Sequence, residues 1–160
     1  MKYVAWVLVI VLLAVVGGGA YLYLTANVAV EEIVFTSVSA SERETEFQDY
    51  QRRLLNGAVP GTVFSTDALS DNAGDYAFYT YTVKLKNNCF IPAKMVEVQI
   101  VPVAGDILQT LDETDHTLPP REAGAIRATV LTHATNHSVR QVIVTYYLWG
   151  YMFTTTKTYG

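Results

Sequence analysis

Cysteine is almost absent from this chain: Cys89 is the only one in 160 residues. No disulfide can close within the chain, so a folded domain must hold by packing alone. No cysteine lies near position 20 either, which excludes the lipidated anchor of a bacterial lipoprotein. Cys89 itself precedes Phe90 and Ile91 and reads as a small buried residue rather than a reactive thiol. Basic residues are few and scattered. Eleven Lys and Arg stand against fifteen Asp and Glu, a net charge of −4, and no basic patch forms, so nucleic acid is not an expected partner. Gly-x-Ser-x-Gly, a glycine-rich phosphate loop and a dinucleotide fingerprint are all missing. Long helical patterns alternating with strands are missing too, which argues against a doubly wound sheet.

Charge is also missing from one long stretch, and there the absence is informative. From Tyr3 to Leu24 no side chain is charged. At ~1.5 Å per residue such a run makes a helix of ~33 Å, enough to cross a hydrocarbon core of ~30 Å. Tyr3 and Trp6 stand near its start, Tyr21 and Tyr23 near its end, where amphipathic rings favour the headgroup level. Lys2 precedes the run, and Glu31 and Glu32 follow it. The positive-inside rule then puts the amino terminus in the cytoplasm, leaving only Met1 and Lys2 inside, and the rest of the chain beyond the membrane. Residues 1–26 are expected to form this signal-anchor helix in contact with the bilayer through residues 3–24, and residues 27–160 one extracytoplasmic domain. The competing reading is a cleaved signal peptide with its apolar region at Val4 to Val16 and the small residues Gly18 and Ala20 at the cut, which would release the domain. Gly17, Gly18 and Gly19 would also permit close approach of a second helix.

After the anchor the chain is rich in Tyr, Thr and Val, residues suited to a pleated surface. Asn27–Val38 reads as a first strand. Ser41 and Glu44 have capping-box spacing, Phe47, Tyr50 and Leu54 share one helical face, and Asn56-Gly57 supplies a stop, predicting a short amphipathic helix near Glu42–Leu55. A short strand follows at Val59–Ser65, then a polar loop, Thr66–Asp75, that lacks the spacing of a calcium loop. Tyr76–Lys86 alternates cleanly, with Tyr79, Tyr81, Val83 and Leu85 on one face and Phe78, Thr80, Thr82, Lys84 and Lys86 on the other. Further strands are expected at Lys94–Val103, Ile107–Leu111, Ile126–Thr132, Val139–Trp149 (apolar on both faces) and Tyr151–Tyr159, with Gly150 as a bulge or turn. Short strands at near-regular spacing predict a mainly β domain, an antiparallel β-sandwich with one short helix.

Within it, Tyr81–Thr132 carries a pattern. A strand ends in Asn87-Asn88, a turn holds Pro92, and the strand Val96–Val103 follows. A Gly105-Asp106 turn leads into Ile107-Leu108, and Leu118-Pro119-Pro120 precedes Ile126–Val130. This resembles the FxLYD-type and late-embryogenesis-abundant type 2 domains, with Val101–Asp106 standing where the Phe-x-Leu-Tyr-Asp signature would fall. The resemblance implies an immunoglobulin-like sandwich, often tethered to a bacterial membrane, with no catalytic residues to carry over.

The remaining residues offer little chemistry. His133 and His137 are four apart but flank a turn former, Asn136, and His116 lies in another loop beside Asp112, Glu113 and Asp115. A metal-assisted hydrolase built on these histidines is the enzymatic alternative; no catalytic, metal or cofactor residue is assigned, and no cofactor is expected. Tyr146, Trp149, Tyr151 and Phe153 concentrate near the C-terminus; such rings read first as core packing with cross-strand pairs, and any that are exposed are the candidate partner-binding residues. The expectation is a non-catalytic binding or assembly domain of a bacterial cell envelope, facing an envelope protein or polysaccharide. Its alternative is an accessory subunit of a membrane complex recruited through the apolar helix.

Overall fold

A computed structural model of the chain describes residues 2–65, 69–110 and 116–160. It opens with helix α1, Lys2–Leu24. Three residues, 25–27, lead from the helix into strand β1, Val28–Ser39. A 3-10 turn, Ala40–Arg43, and helix α2, Glu44–Leu55, follow. The other strands are β2 (Gly61–Val63), β3 (Tyr76–Asn87), β4 (Lys94–Ile100), β5 (Asp106–Thr110), β6 (Ala123–His133), β7 (Arg140–Leu148) and β8 (Tyr151–Tyr159).

The strands form two antiparallel sheets. One has the order β1-β3-β6-β5-β2, the other β4-β7-β8. The alternation of β3 decides which side chains meet. Tyr79, Tyr81, Val83 and Leu85 turn one way and join Ile126, Ala128 and Val130 of β6. Facing them from the second sheet are Val96, Val98, Ile100, Val142, Val144, Tyr146 and Leu148, so one apolar cluster lies between the sheets. Burial of such side chains, at about 1.5–3 kcal/mol each, is the main force holding a domain without disulfides.

The opposite face of β3 departs from the simple pattern. Phe78 is buried, although the sequence groups it with Thr80 and the lysines. Helix α2 covers that end of the sheet, and Phe47, Tyr76, Phe78, Ile107, Leu108 and Leu131 make a second cluster beneath it. The helix stops as expected. Gly57 takes φ 63°, its N–H donates to the Leu54 carbonyl (3.1 Å), and Ala58 N–H donates to the Arg53 carbonyl (2.9 Å). These are the paired bonds of a Schellman motif. Its start does not follow the expected capping box: Ser39, not Ser41, accepts from a backbone N–H, and it caps the 3-10 turn. Strand β7 differs from expectation in one respect. Val139 lies outside it and is exposed, and β7 alternates between buried and less buried positions. It is central within its sheet, with one face on the core and the half-buried Ile143 and Tyr147 on the other.

Both ends of the fold follow from strand direction. β1, β4, β6 and β8 start, and β3 and β7 finish, at the end where α1 enters. That end therefore carries the β3–β4 connection, the turn before β6 and the β7–β8 hairpin. Asn87 fastens it. Its fully buried amide donates to the carbonyls of Ile91 (2.8 Å), Leu118 (3.0 Å) and Pro119 (3.0 Å), and its Oδ1 accepts from Cys89 N–H. Next to it, Asn88 bonds the Asn27 side chain (2.8 Å) and backbone (3.1 Å), tying the loop to the chain that leaves the helix.

Candidate functional site

The four C-terminal aromatics divide. Tyr146 is 2% exposed and belongs to the core; its hydroxyl accepts from the Val28 N–H at 3.1 Å. As a partner-binding residue it is corrected: inward alternation of β7 places it between the sheets. Phe153 is half-buried and stacks on Tyr146 at 5.8 Å between centroids. Trp149 and Tyr151 remain exposed, at 46% and 66%.

These rings are brought to the end of helix α1. Tyr23 lies 6.5 Å from Trp149 and 5.7 Å from Phe153 between ring centroids. Gly19, Leu22, Tyr23, Trp149 and Tyr151 line one shallow apolar depression between helix and hairpin. A second, wider cleft runs from Tyr21 and Leu22 past Asn27 to Cys89, Phe90, Arg121 and Trp149. The hairpin tip is a two-residue connection, because Leu148 pairs with Tyr151. Trp149 at φ 52° and Gly150 at φ 83° are both left-handed, as a type I′ turn requires. Glycine takes that conformation freely; a bulky ring there is an outlier. Of the expected membrane-interface residues, Tyr3, Trp6 and Tyr21 are exposed on α1, and Tyr23, also exposed, is the one that touches the domain.

The opposite end holds the buried charges. Asp106 and Arg140 face each other with side chains 0% and 1% exposed, Nη2 to Oδ1 at 2.8 Å and Nε to Oδ2 at 3.2 Å. Arg140 Nη1 also donates to the carbonyls of His137 and Val139, and Val103 N–H donates to Asp106 (2.8 Å). Asn136 bonds Thr132 (2.6 Å) and the Ala104 carbonyl (2.9 Å). The charges of Asp106 and Arg140 and the Asn136 amide are thus bonded to their own neighbours. This is a structural knot of buried, mutually bonded groups.

Tyr81 borders the knot. It is fully buried and its hydroxyl donates to the Ser138 carbonyl at 2.8 Å. Burial pushes its phenol well above the ordinary value of 10.0, against a smaller lowering by Arg140. A raised value in the folded state means that the neutral phenol is preferred there. The stability Tyr81 contributes is therefore fully present below pH 10 and is lost as pH rises through the higher folded value. Alkaline unfolding, followed by circular dichroism, should be shallower in Tyr81→Phe than in the parent; an unchanged alkaline slope would show that Tyr81 does not carry it.

His133 stacks on Tyr76 at 4.9 Å, and the His137 carbonyl is taken up by Arg140. Among the described residues no group of three or more His, Cys, Asp and Glu side chains is placed to hold a metal. Asp67 of the polar loop and Asp112, Glu113 and Asp115 beside His116 lie outside the described residues. Cys89 is buried, and burial raises its thiol, against smaller lowering effects of the Asn27 backbone and of Arg121. A raised, buried thiol is a poor nucleophile. The notable residues missed by sequence reasoning, Asp106 and Arg140, are 34 positions apart with no shared motif to join them.

Comparison of the chain with protein-family models, with characterised proteins and with solved structures gives no match.

Proposed function

We propose that this chain is a single-pass membrane protein whose helix α1 anchors an immunoglobulin-like β-sandwich outside the cytoplasm, where it serves as a non-catalytic binding or assembly module of the cell envelope. The observation that carries the reading is the surface of α1. Its span of 22 residues, Tyr3–Leu24, is apolar throughout, and none of it is buried by the domain. So large an uncovered apolar rod is not stable in water and calls for a lipid environment. A cleaved signal sequence would share these properties; contact of Tyr23 with Trp149 and Phe153 favours retention, because it gives the helix end a place in the folded domain.

Strand order supports the sandwich. With β2 set aside as an addition to one edge, β1-β3-β6-β5 and β4-β7-β8 follow the A-B-E-D and C-F-G arrangement of immunoglobulin constant-type domains. Helix α2 is then an insertion between the first two strands. Fold alone names no ligand. The non-catalytic reading rests on the inward bonding of the Asp106–Arg140 knot.

Protease added to cells with an exposed but sealed plasma membrane should digest the domain, and mass spectrometry of the membrane fraction should find α1 still attached. Survival of the domain until the membrane is opened would overturn the orientation. A mature chain lacking α1 would overturn the anchor.

A further inference from the structure

Three non-glycine residues among those described have left-handed backbone: Met95 (φ 49°), Arg121 (φ 61°) and Trp149 (φ 52°). Such a conformation costs roughly 1–2 kcal/mol for a residue with a side chain. All three lie at the end of the domain where α1 enters. Trp149 is in the β7–β8 turn, Arg121 in the turn before β6, and Met95 at the start of β4, beside the pairing of Lys94 with Tyr147. Each projects an apolar or amphipathic side chain outward. Met95 is 61% exposed, and the Arg121 guanidinium lies 4.1 Å over the ring of Phe90, itself 69% exposed. Tyr151 and, on the opposite face of β8, Met152 (63% exposed) add exposed apolar side chains at the same end, next to the hairpin tip. Strain of this kind persists only where the surrounding structure enforces it, and it clusters at functional surfaces.

The level of this surface is fixed by the helix. Tyr151 and Gly19 line one depression, and Gly19 is five residues before Leu24, ~7.5 Å lower along the axis. The headgroup layer on each side of a bilayer is only ~5–8 Å deep. If α1 spans, the hairpin tip cannot stand clear of the lipid.

Resting on the anchor reading above, we propose that the loops at this end, led by Trp149, Tyr151 and Met152 with Phe90 and Met95, form a second membrane contact that seats the domain in the headgroup layer of the bilayer that α1 crosses. The occupant is the lipid surface, because Trp149, Tyr151 and Phe90 share clefts with Tyr21, Leu22 and Tyr23 of the lipid-facing helix α1, and Met95 and Met152 lie at the same end. Trp and Tyr suit that layer, where one end of each ring is apolar and the other wet. Seating would hold the domain in one orientation and turn α2 and the far end outward.

The chain has two tryptophans, which makes the test direct. The full chain is placed in phosphatidylcholine vesicles with bromine at shallow or deep acyl positions. In Trp6→Phe, emission from Trp149 should be blue-shifted, quenched more by shallow than by deep bromine, and little affected by aqueous acrylamide. Adding Tyr151→Asp and Met152→Asp, both at exposed positions, should shift Trp149 to the red and open it to acrylamide. In Trp149→Phe, Trp6 reports the anchor alone. Quenching of Trp6 by lipid with Trp149 open to acrylamide would overturn the seating and leave the anchor standing. Absence of lipid quenching at both would overturn the anchor. Trp149 shielded from acrylamide and bromine alike would mean that protein covers the tip, a second copy included, and would also overturn the seating. So would an unchanged Trp149 signal in the two-aspartate variant, since nearness to the helix would then account for it.

Discussion

Asp106→Asn is expected to destabilise the domain by about 3–5 kcal/mol, the usual cost of removing one partner from a buried ion pair. The reason is what remains. Arg140 is 1% exposed and keeps its charge, and its Nε and Nη2 both lose a carboxylate oxygen at bonding distance. The asparagine side chain cannot accept at both positions, and Val103 N–H loses its ionised acceptor as well. Arg140→Met should cost a similar amount by leaving Asp106 charged and buried. The pair as a whole is another matter. Desolvation of two ions offsets much of their attraction, so Asp106→Leu combined with Arg140→Met should lose clearly less than the two single losses added together. Urea unfolding of the full chain in detergent, followed by near-ultraviolet circular dichroism, gives all three values. Strict additivity in the double variant would show that the pair is not coupled. Single losses below about 1 kcal/mol would mean that water reaches the charges.

Much of this architecture was legible in residues taken one segment at a time. The uncharged run to Leu24, the alternation of Tyr79, Tyr81, Val83 and Leu85, and the Asn56-Gly57 stop depend on local chemistry, and each appears where it was expected. What escaped depends on partners distant in sequence. Phe78 follows the rule of alternation, yet its face is covered by α2, which nothing in β3 announces. The C-terminal aromatics could be read as core or as surface, and only the assembled sheets separate them: Tyr146 takes the inward face of β7 and Trp149 the hairpin tip. The candidate site shows the same split. Sequence clustering singled out Trp149 and Tyr151, and Gly150 marked the turn, but the left-handed Trp149 and its nearness to Gly19 arise from the docking of hairpin on helix.

Gln109→Leu is expected to cost about 2–6 kcal/mol, since it strips two buried backbone groups of their partners at about 1–3 kcal/mol each. The sequence gives Gln109 no distinction; it reads as a polar residue in the short strand β5. In the fold it is 1% exposed and reaches across from one sheet to the other. Its Oε1 accepts from Ile100 N–H at 2.8 Å, and its Nε2 donates to the Val98 carbonyl at 2.9 Å. Those two groups belong to the edge of β4 that faces away from β7, so one side-chain amide takes the place of a neighbouring strand residue. The same edge is covered further along by the His116 carbonyl on Val96 N–H (2.9 Å) and by mutual bonds between Ala93 and Leu118. β4 is thus an edge strand whose outer edge is covered at Ala93, Val96, Val98 and Ile100, and covering of that kind is what keeps sheets from pairing with other chains. Leucine fills a similar space but offers no hydrogen bond. Gln109→Glu keeps the acceptor, loses the donor and buries a carboxylate near the Val98 carbonyl, so it should be at least as damaging as leucine at neutral pH. Unfolding midpoints in urea rank the variants. Light scattering adds a second readout, because Gln109→Leu should associate at concentrations where the parent does not. A Gln109→Leu variant as stable and as monodisperse as the parent would show that solvent, not this amide, satisfies the β4 edge.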